Sequence, residues 1–240
     1  DWIERNLYRK HRALGIVIMV IADLLLFGVP GIIIIAAQML AVPLMAAGVI
    51  NGLGHHTGYR NFECPDAARN IVPWGLLVAG EELHNNHHAF PASAKFSVRR
   101  WEFDMGWLYI RVLQAFGLAR VRKVAPALIH VPGRQEIDIN TLRAVVINRM
   151  HVLRAYAKQV TIPVCGEQLA LTRDGARQAR RLLVREALLL DSAAKRSLSE
   201  LLAEHATLKT VYDFRERLNV LWSGQHASNE SLLAHFTKWI

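Results

Sequence analysis

"LGIVIMVIADLLLFGVPGIIIIAAQMLAVPLMAAGVI", residues 14–50, carries one formally charged side chain, Asp23, and one break, Gly28-Val29-Pro30-Gly31. Proline removes a helical donor and glycine tolerates turn dihedrals, so the run reads as two helices joined by a tight turn. At 1.5 Å per residue, Leu14 to Val29 spans roughly 24 Å and Ile32 to Ile50 roughly 28 Å, against a bilayer core of about 30 Å. This predicts an all-α fold built on a transmembrane hairpin, about 14–29 and 32–50. A buried helical hairpin of a soluble protein is the alternative, but soluble cores seldom hold two adjacent helices that are apolar all round.

Charge placement orients the hairpin. Arg5, Arg9, Lys10 and Arg12 precede the first helix, Arg60 and Arg69 follow the second, and the turn is uncharged. By the positive-inside rule the termini, and everything after residue 50, are expected to be cytoplasmic. Asp23 is expected to pair with a neighbouring helix rather than to perform chemistry.

The rest of the composition excludes more than it selects. The 240 residues are 52% hydrophobic with net charge +9, which suits nucleic acid, an anionic membrane surface or an acidic substrate. Two cysteines, Cys64 and Cys165, are too far apart for a zinc ribbon or a disulfide framework and read as free thiols in a reducing compartment. No small-residue cleavage site follows the first basic stretch, so a secretory signal is not expected, and a start at Asp1 reads as the middle of something longer.

Just beyond the apolar run, Asn51 and His55 stand at i and i+4, and "EELHNNHHAF", residues 81–90, places His84, His87 and His88 at i, i+3 and i+4. On a helix the three imidazoles of the second group would point in nearly one direction. Imidazole suits iron, zinc and copper alike, and no cysteine lies near enough for a thiolate site. Exposed histidines in a polar loop are the plainer reading of any single one. Among the others, His130, His151, His205, His226 and His235 are isolated, and His11 belongs to an interfacial basic cluster.

The stretch "NGLGHHTGYRNFECPDAARNIVPWGLLVAGEELHNNHHAFPASAKFSVRRWEFDMGWLYIRVLQAFGLARVRKVAP", residues 51–126, together with the hairpin before it, resembles the membrane-bound fatty acid desaturases, more narrowly the bacterial relatives of the stearoyl-CoA Δ9 desaturases. The resemblance rests on H-N-x-H-H followed by A-F-P, on N-x-x-x-H, and on W-E-F-D, in that order. It implies four transmembrane helices in two hairpins, with a cytoplasmic cap holding a di-iron centre. His84, His87 and His88 then fall on the third histidine box, His55 on an isolated ligand, and Asn51 on a position reaching the metal through water. The first two boxes are absent from this chain, so the resemblance implies a C-terminal portion with about half the ligands. His56-Thr57 departs from the aromatic pair expected in close relatives.

The implied activity is oxygen-dependent desaturation of a fatty acyl chain, acyl-CoA or acyl-lipid, with electrons from a ferredoxin or a cytochrome b5-type protein and its reductase. An unactivated methylene has no acidic proton, so side-chain acid-base chemistry cannot remove its hydrogens and an iron-bound oxidant must. Trp74, Trp101, Phe103 and Trp107 are candidates for an acyl tunnel or, equally, interface anchors. Lys95, Arg99 and Arg100 suit coenzyme A phosphates or anionic lipid equally. Glu81 and Glu82 precede the box, where a carboxylate such as Glu82 can fix a histidine tautomer; helix solvation is the plainer account. Rival readings are a histidine-box hydroxylase, alkane monooxygenase or ketolase, and a non-catalytic membrane remnant or subunit.

"RVRKVAPALIHVPGRQEIDI" has linker composition, which places a boundary near residue 130 between a desaturase-like portion, 1–130, and a cytoplasmic helical extension, 131–240. Within the extension, residues 140–160 and 172–239 show helical periodicity rich in arginine, broken at Thr161-Ile162-Pro163. No nucleic-acid-binding signature accompanies that charge, so contact with anionic lipid or packing on the cap is expected instead. The location implied is a multi-pass bacterial inner membrane protein with its metal site on the cytoplasmic side.

Overall fold

The first helix, α1 (Leu14–Phe27), has no side-chain cap and a single polar residue, Asp23, within its apolar run. It ends where Gly28 takes a positive φ of 63° and its N–H bonds to the Leu24 carbonyl at 2.9 Å. The computed structural model describes residues 4–127, 138–169 and 173–223. Pro30 then opens α2 (Gly31–Pro43), and a Cβ at Gly31 would lie 2.5 Å from the Asp23 carbonyl oxygen, so only glycine fits that approach. Asp23 is the buried residue of α1. Its Oδ2 finds no hydrogen-bond partner among the described residues, so the expected pairing is not seen within them.

Helix α2 does not stop at Ile50. Pro43 lacks an N–H, and the helix passes through wider π-type turns at Leu44–Gly52 and a tight 3-10 turn at Leu53–His55. The rod Gly31–His55 is 25 residues long and apolar enough to cross a membrane, with its most apolar window wholly unburied. By contrast, α1 has 14 residues, below the roughly 17–25 that a spanning helix needs. Among the described residues one helix therefore meets the length and composition for a span, where the sequence predicts two. Both helices face outward with their branched side chains: Leu25 is 81%, Val29 79% and Ile33 74% exposed.

The chain divides by its contacts into two units, residues 1–60 with 68–125, and residues 61–67 with 126–240. In the first, the chain after the rod is mostly irregular. It is organised by a bridge between Tyr59 and Asn70 and by two short parallel strands, β1 (Trp74–Gly75) and β2 (Phe103–Asp104). Between them lies α3 (His84–Ala89), and directly after β2 comes α4 (Met105–Ala115). Asp104 accepts the Trp107 N–H at 2.8 Å and so caps α4. The fold is mostly helical, consistent with the all-α expectation, with this small strand pair beside the helices.

The second unit is built from α5 (Ile139–Ile147), α6 (Arg149–Tyr156), α7 (Ile162–Gln168), α8 (Arg173–Val184), α9 (Ser192–Glu204) and α10 (Ala206–Ser223). Asp138 and Thr141 form a reciprocal capping box on α5, and Asp191 caps α9. Its core gathers Cys165, Leu169, Leu182, Leu183, Leu190, Leu198 and Leu208. Burial pushes the Cys165 thiol up, partly offset by Arg180. The expected break at Thr161-Ile162-Pro163 does not end the helical path. Pro163 sits in the first turn of α7, and a wide turn at Ala157–Thr161 leads into it, accommodating the missing N–H. The boundary expected near residue 130, His130, His226, His235 and the predicted helix beyond residue 223 lie outside the described residues.

Candidate metal centre

The rod delivers His55 to α3 because the backbone before it is bare. A Cβ at Gly54 would come within 3.3 Å of the His84 ring. The Gly54 carbonyl accepts the Arg69 N–H at 2.7 Å, and Ile71 N–H bonds to the Glu82 carbonyl at 2.8 Å, so the 69–71 segment ties the rod's end to the residue just before α3. His55 Nε2 consequently lies 3.1 Å from His84 Nε2.

Among the described residues His55, His84 and His88 form a cluster whose ligand nitrogens all lie within 4.8 Å of one another. The His84 and His88 ring centroids are 4.3 Å apart, and His55 and His88 are 5.2 Å apart, edge to face. Two imidazole nitrogens bound cis to one ion at about 2.0–2.1 Å each are separated by roughly 3 Å, close to the His55–His84 distance. The donor set, three neutral imidazoles with no thiolate, fits a borderline transition metal such as iron.

His87 does not join this group. Its ring lies 6.2 Å from that of His84 and packs on Phe96 at 4.7 Å. Its Nδ1 is buried without a hydrogen-bond partner among the described residues, a costly state for a polar nitrogen unless a ligand or ion completes it. The sequence spacing predicts three imidazoles in one direction; over a helix of six residues, i and i+4 converge while i+3 turns to a different side.

The remaining predicted residues are placed as follows. Asn51 is exposed, and its side-chain amide donates to the Ala46 carbonyl at 2.9 Å. His56 is exposed and outside the cluster. Glu82 is buried, and its Oε1 accepts the N–H groups of Leu77 at 2.6 Å and Val78 at 3.0 Å, so that oxygen fastens the turn before α3 rather than a histidine ring. Arg100 is exposed, while Lys95 and Arg99 are half-buried. Trp74, Trp101 and Phe103 are exposed, Trp101 tilts against Tyr59, and Trp107 lies under the Arg111 guanidinium.

Sequence reasoning missed what holds α3 in place. Asn86, between the histidines, donates its side-chain N–H to Glu102 Oε2 at 2.9 Å, and its backbone N–H goes to Asn70 Oδ1 at 3.1 Å. Asn70 returns a bond to Asn86 Oδ1 at 3.1 Å, and Asn85 donates to the Ala68 carbonyl at 3.0 Å. Glu102 also accepts from Tyr59 Oη at 2.8 Å, Val98 N–H at 2.7 Å and Arg99 N–H at 2.8 Å. Burial, and then the bond to the Glu102 carboxylate, push the Tyr59 phenol well above its usual value. Asp104 accepts Phe96 and Ser97 N–H at 2.6 and 3.1 Å. The signals were present: two asparagines inside a histidine box, and two carboxylates in W-E-F-D, each of which needs donors if buried.

Comparison with known proteins finds relatives over part of the chain. The chain is 42% identical to the sn-2 palmitoyl-lipid 9-desaturase of Nostoc over 71 residues, 30% of this chain and 25% of that protein. It is 40% identical to the sn-1 stearoyl-lipid 9-desaturase of Anabaena variabilis over 77 residues, 32% of this chain and 28% of that protein. With the Δ9 acyl-lipid desaturase 1 of Arabidopsis thaliana the figure is 39% over 71 residues, 30% of this chain and 23% of that protein. Over about a third of its length the chain is thus related to the Δ9 desaturases, and it spans about a quarter of the length of the curated relatives it matches. No family model matches, and no solved structure matches.

Proposed function

We propose, from that relationship, that the chain is a metal-bearing portion of a membrane di-iron desaturase acting on a fatty acyl chain, carried as acyl-CoA or acyl-lipid. The observation that carries it is the convergence of His55, His84 and His88 at the end of an apolar rod. These three would hold one iron, and His87, turned aside with a buried Nδ1, would serve the second together with histidines this chain does not contain. Asn51 would act through water. When bound, iron supplies the oxidant that removes two hydrogens from adjacent methylenes, using dioxygen and electrons from a ferredoxin or cytochrome b5-type donor.

The chain's own residues would do the rest. The polar network around Glu102 keeps α3 rigid, so the imidazoles need no rearrangement on binding. The rod Gly31–His55, with α1 as its shorter partner in a two-helix hairpin, would seat this portion in the bilayer and keep the histidines at its cytoplasmic face. Trp74, Trp101, Trp107 and Phe103 would line or flank the acyl path, and Lys95, Arg99 and Arg100 would meet the anionic head of the substrate. Residues 131–240 would form a helical extension on the same side.

Anaerobic titration of the detergent-solubilised chain with Fe(II), read by elemental analysis, tests this. At most one tightly held iron per chain is expected, and His84→Ala or His88→Ala should weaken it by about 100-fold or more, since losing even a supporting partner of a ligand costs about 10–100-fold. Unaltered binding in both variants would remove the metal site. Two irons with unaided turnover would refute the incomplete centre. In an intact enzyme, a double bond rather than a hydroxyl group in the product separates desaturation from the hydroxylase reading.

A further inference from the structure

In the second unit, Arg177 and Arg181 stand four residues apart on α8, the spacing that stacks side chains on one helix face, and Arg185 follows just past the end of the helix. Like charges so placed repel and weaken an isolated helix, so their alignment needs a counter-charge. They do not simply diverge into solvent. All three line one open cleft of about 470 Å³, within the size range of small-molecule sites. Its wall on the α9 side includes Ser197, and its floor includes the buried side chains of Leu182 and Leu190.

Two of these charges have no counter-charge among the described residues. Arg177 and Arg181 make no ion pair or hydrogen bond to any described residue. Asp191 is the carboxylate on the rim, and its Oδ1 is engaged by the Ala194 N–H at 2.8 Å as the cap of α9. The Arg177 and Arg181 guanidinium groups therefore stand against one carboxylate. Planar guanidinium forks a helical turn apart match the oxygens of a phosphate, which accepts two parallel N–H bonds from each. Carboxylate ligands are matched less well, because one planar group cannot engage two forks offset by a turn.

We propose that this cleft is a phosphate-binding site, with Arg177 and Arg181 as its principal contacts, Arg185 closing one end and the leucine floor available to an apolar group on the ligand. The phosphate belongs either to a membrane lipid headgroup or to a soluble phosphate ester. The site is independent of the histidine cluster, and nothing in its test requires iron.

The experiment is calorimetric titration of the full chain in neutral detergent with dihexanoylphosphatidic acid, glycerol 3-phosphate and, as the zwitterionic reference, dihexanoylphosphatidylcholine. Saturable binding of at least one of the first two is expected. It should weaken at least about tenfold in Arg177→Gln/Arg181→Gln, whose helical circular dichroism is retained because both side chains are exposed. Phosphatidic acid binding about tenfold or more tighter than glycerol 3-phosphate identifies the lipid source; equal affinities identify the soluble ester. A second reading uses the wild-type chain alone, whose affinity should fall several-fold as salt is raised from about 0.05 to 0.5 M. No saturable binding, equal binding by the double variant, phosphatidylcholine binding as tightly as phosphatidic acid, or salt-independent affinity would each overturn the site.

Discussion

The two units of this chain are built inside out relative to one another. In the first, many of the deepest side chains are polar: Asn70 and Asn85 are fully buried alongside Leu83 and Ala68, and Asn86, Glu102 and Asp104 nearly so, while the isoleucines and leucines of α1 and α2 face outward. In the second, leucines and Cys165 fill the centre, and the arginines of α8 line an open cleft. A leucine core is held by area removed from water and tolerates small shifts. A buried polar network is held by geometry, and each unmatched donor or acceptor costs free energy outright. The first arrangement suits a portion whose surroundings are lipid, where apolar side chains cost nothing on the outside. The second suits water.

That contrast can be broken most sharply at Glu102. Glu102→Ala deletes the acceptor for Tyr59, Asn86, Val98 and Arg99 together, so several buried donors lose their partner. At about 1–3 kcal/mol for each stranded group, a local loss of about 4 kcal/mol is expected. Hydrogen exchange read by mass spectrometry should show protection collapsing over residues 83–105 while residues 173–223 are unchanged. Equal loss in both regions would mean that the network does not belong to the first unit alone.

Leu183→Ala is the reciprocal test. Its side chain is fully buried in the leucine core, and truncation is expected to cost about 3 kcal/mol through lost burial and a residual cavity. Protection should fall across residues 173–223, with iron binding at the histidine cluster intact. Iron affinity falling in step with the core would contradict the independence of the two interiors.

Tyr59→Phe sharpens the comparison with the smallest effect, about 1 kcal/mol at neutral pH for one hydrogen bond from a half-buried phenol. Its signature lies in pH dependence. Because the folded phenol ionises above its unfolded value of about 10, its contribution is complete below pH 10 and is lost as pH rises beyond it. Unfolding measured at about pH 8 and pH 11 should show a steeper alkaline loss in the wild type than in the variant. Parallel losses would exclude Tyr59 as the titrating group.

Much of the candidate site was legible in the chain. The spacing of His84 and His88 and the position of His55 after an apolar run pointed to one face and one end, and these three converge. His87 was grouped with them because periodicity reports direction only to within a helical turn, and a six-residue helix is too short to average out a 60° difference. The Glu102 hub escaped because Tyr59 and Asn70 come from irregular segments and Asn86 from a helix of only six residues, so no period links them to Glu102. Pro163 read as a breaker, yet a wide π-type turn before it lets the helical path continue.

What the amino-acid sequence determined by itself was local and statistical: an apolar run with a single charge and one turn, and imidazoles at helical spacing. Those follow from side-chain chemistry within a few residues, which a linear pattern records. Only the tertiary structure decided how far the second apolar helix runs, which imidazoles meet, which carboxylates are spent on backbone donors, and that three arginines share a cleft. Each of these depends on distances between segments far apart in the chain, and those distances are settled by which buried polar groups find partners and which apolar faces find cover.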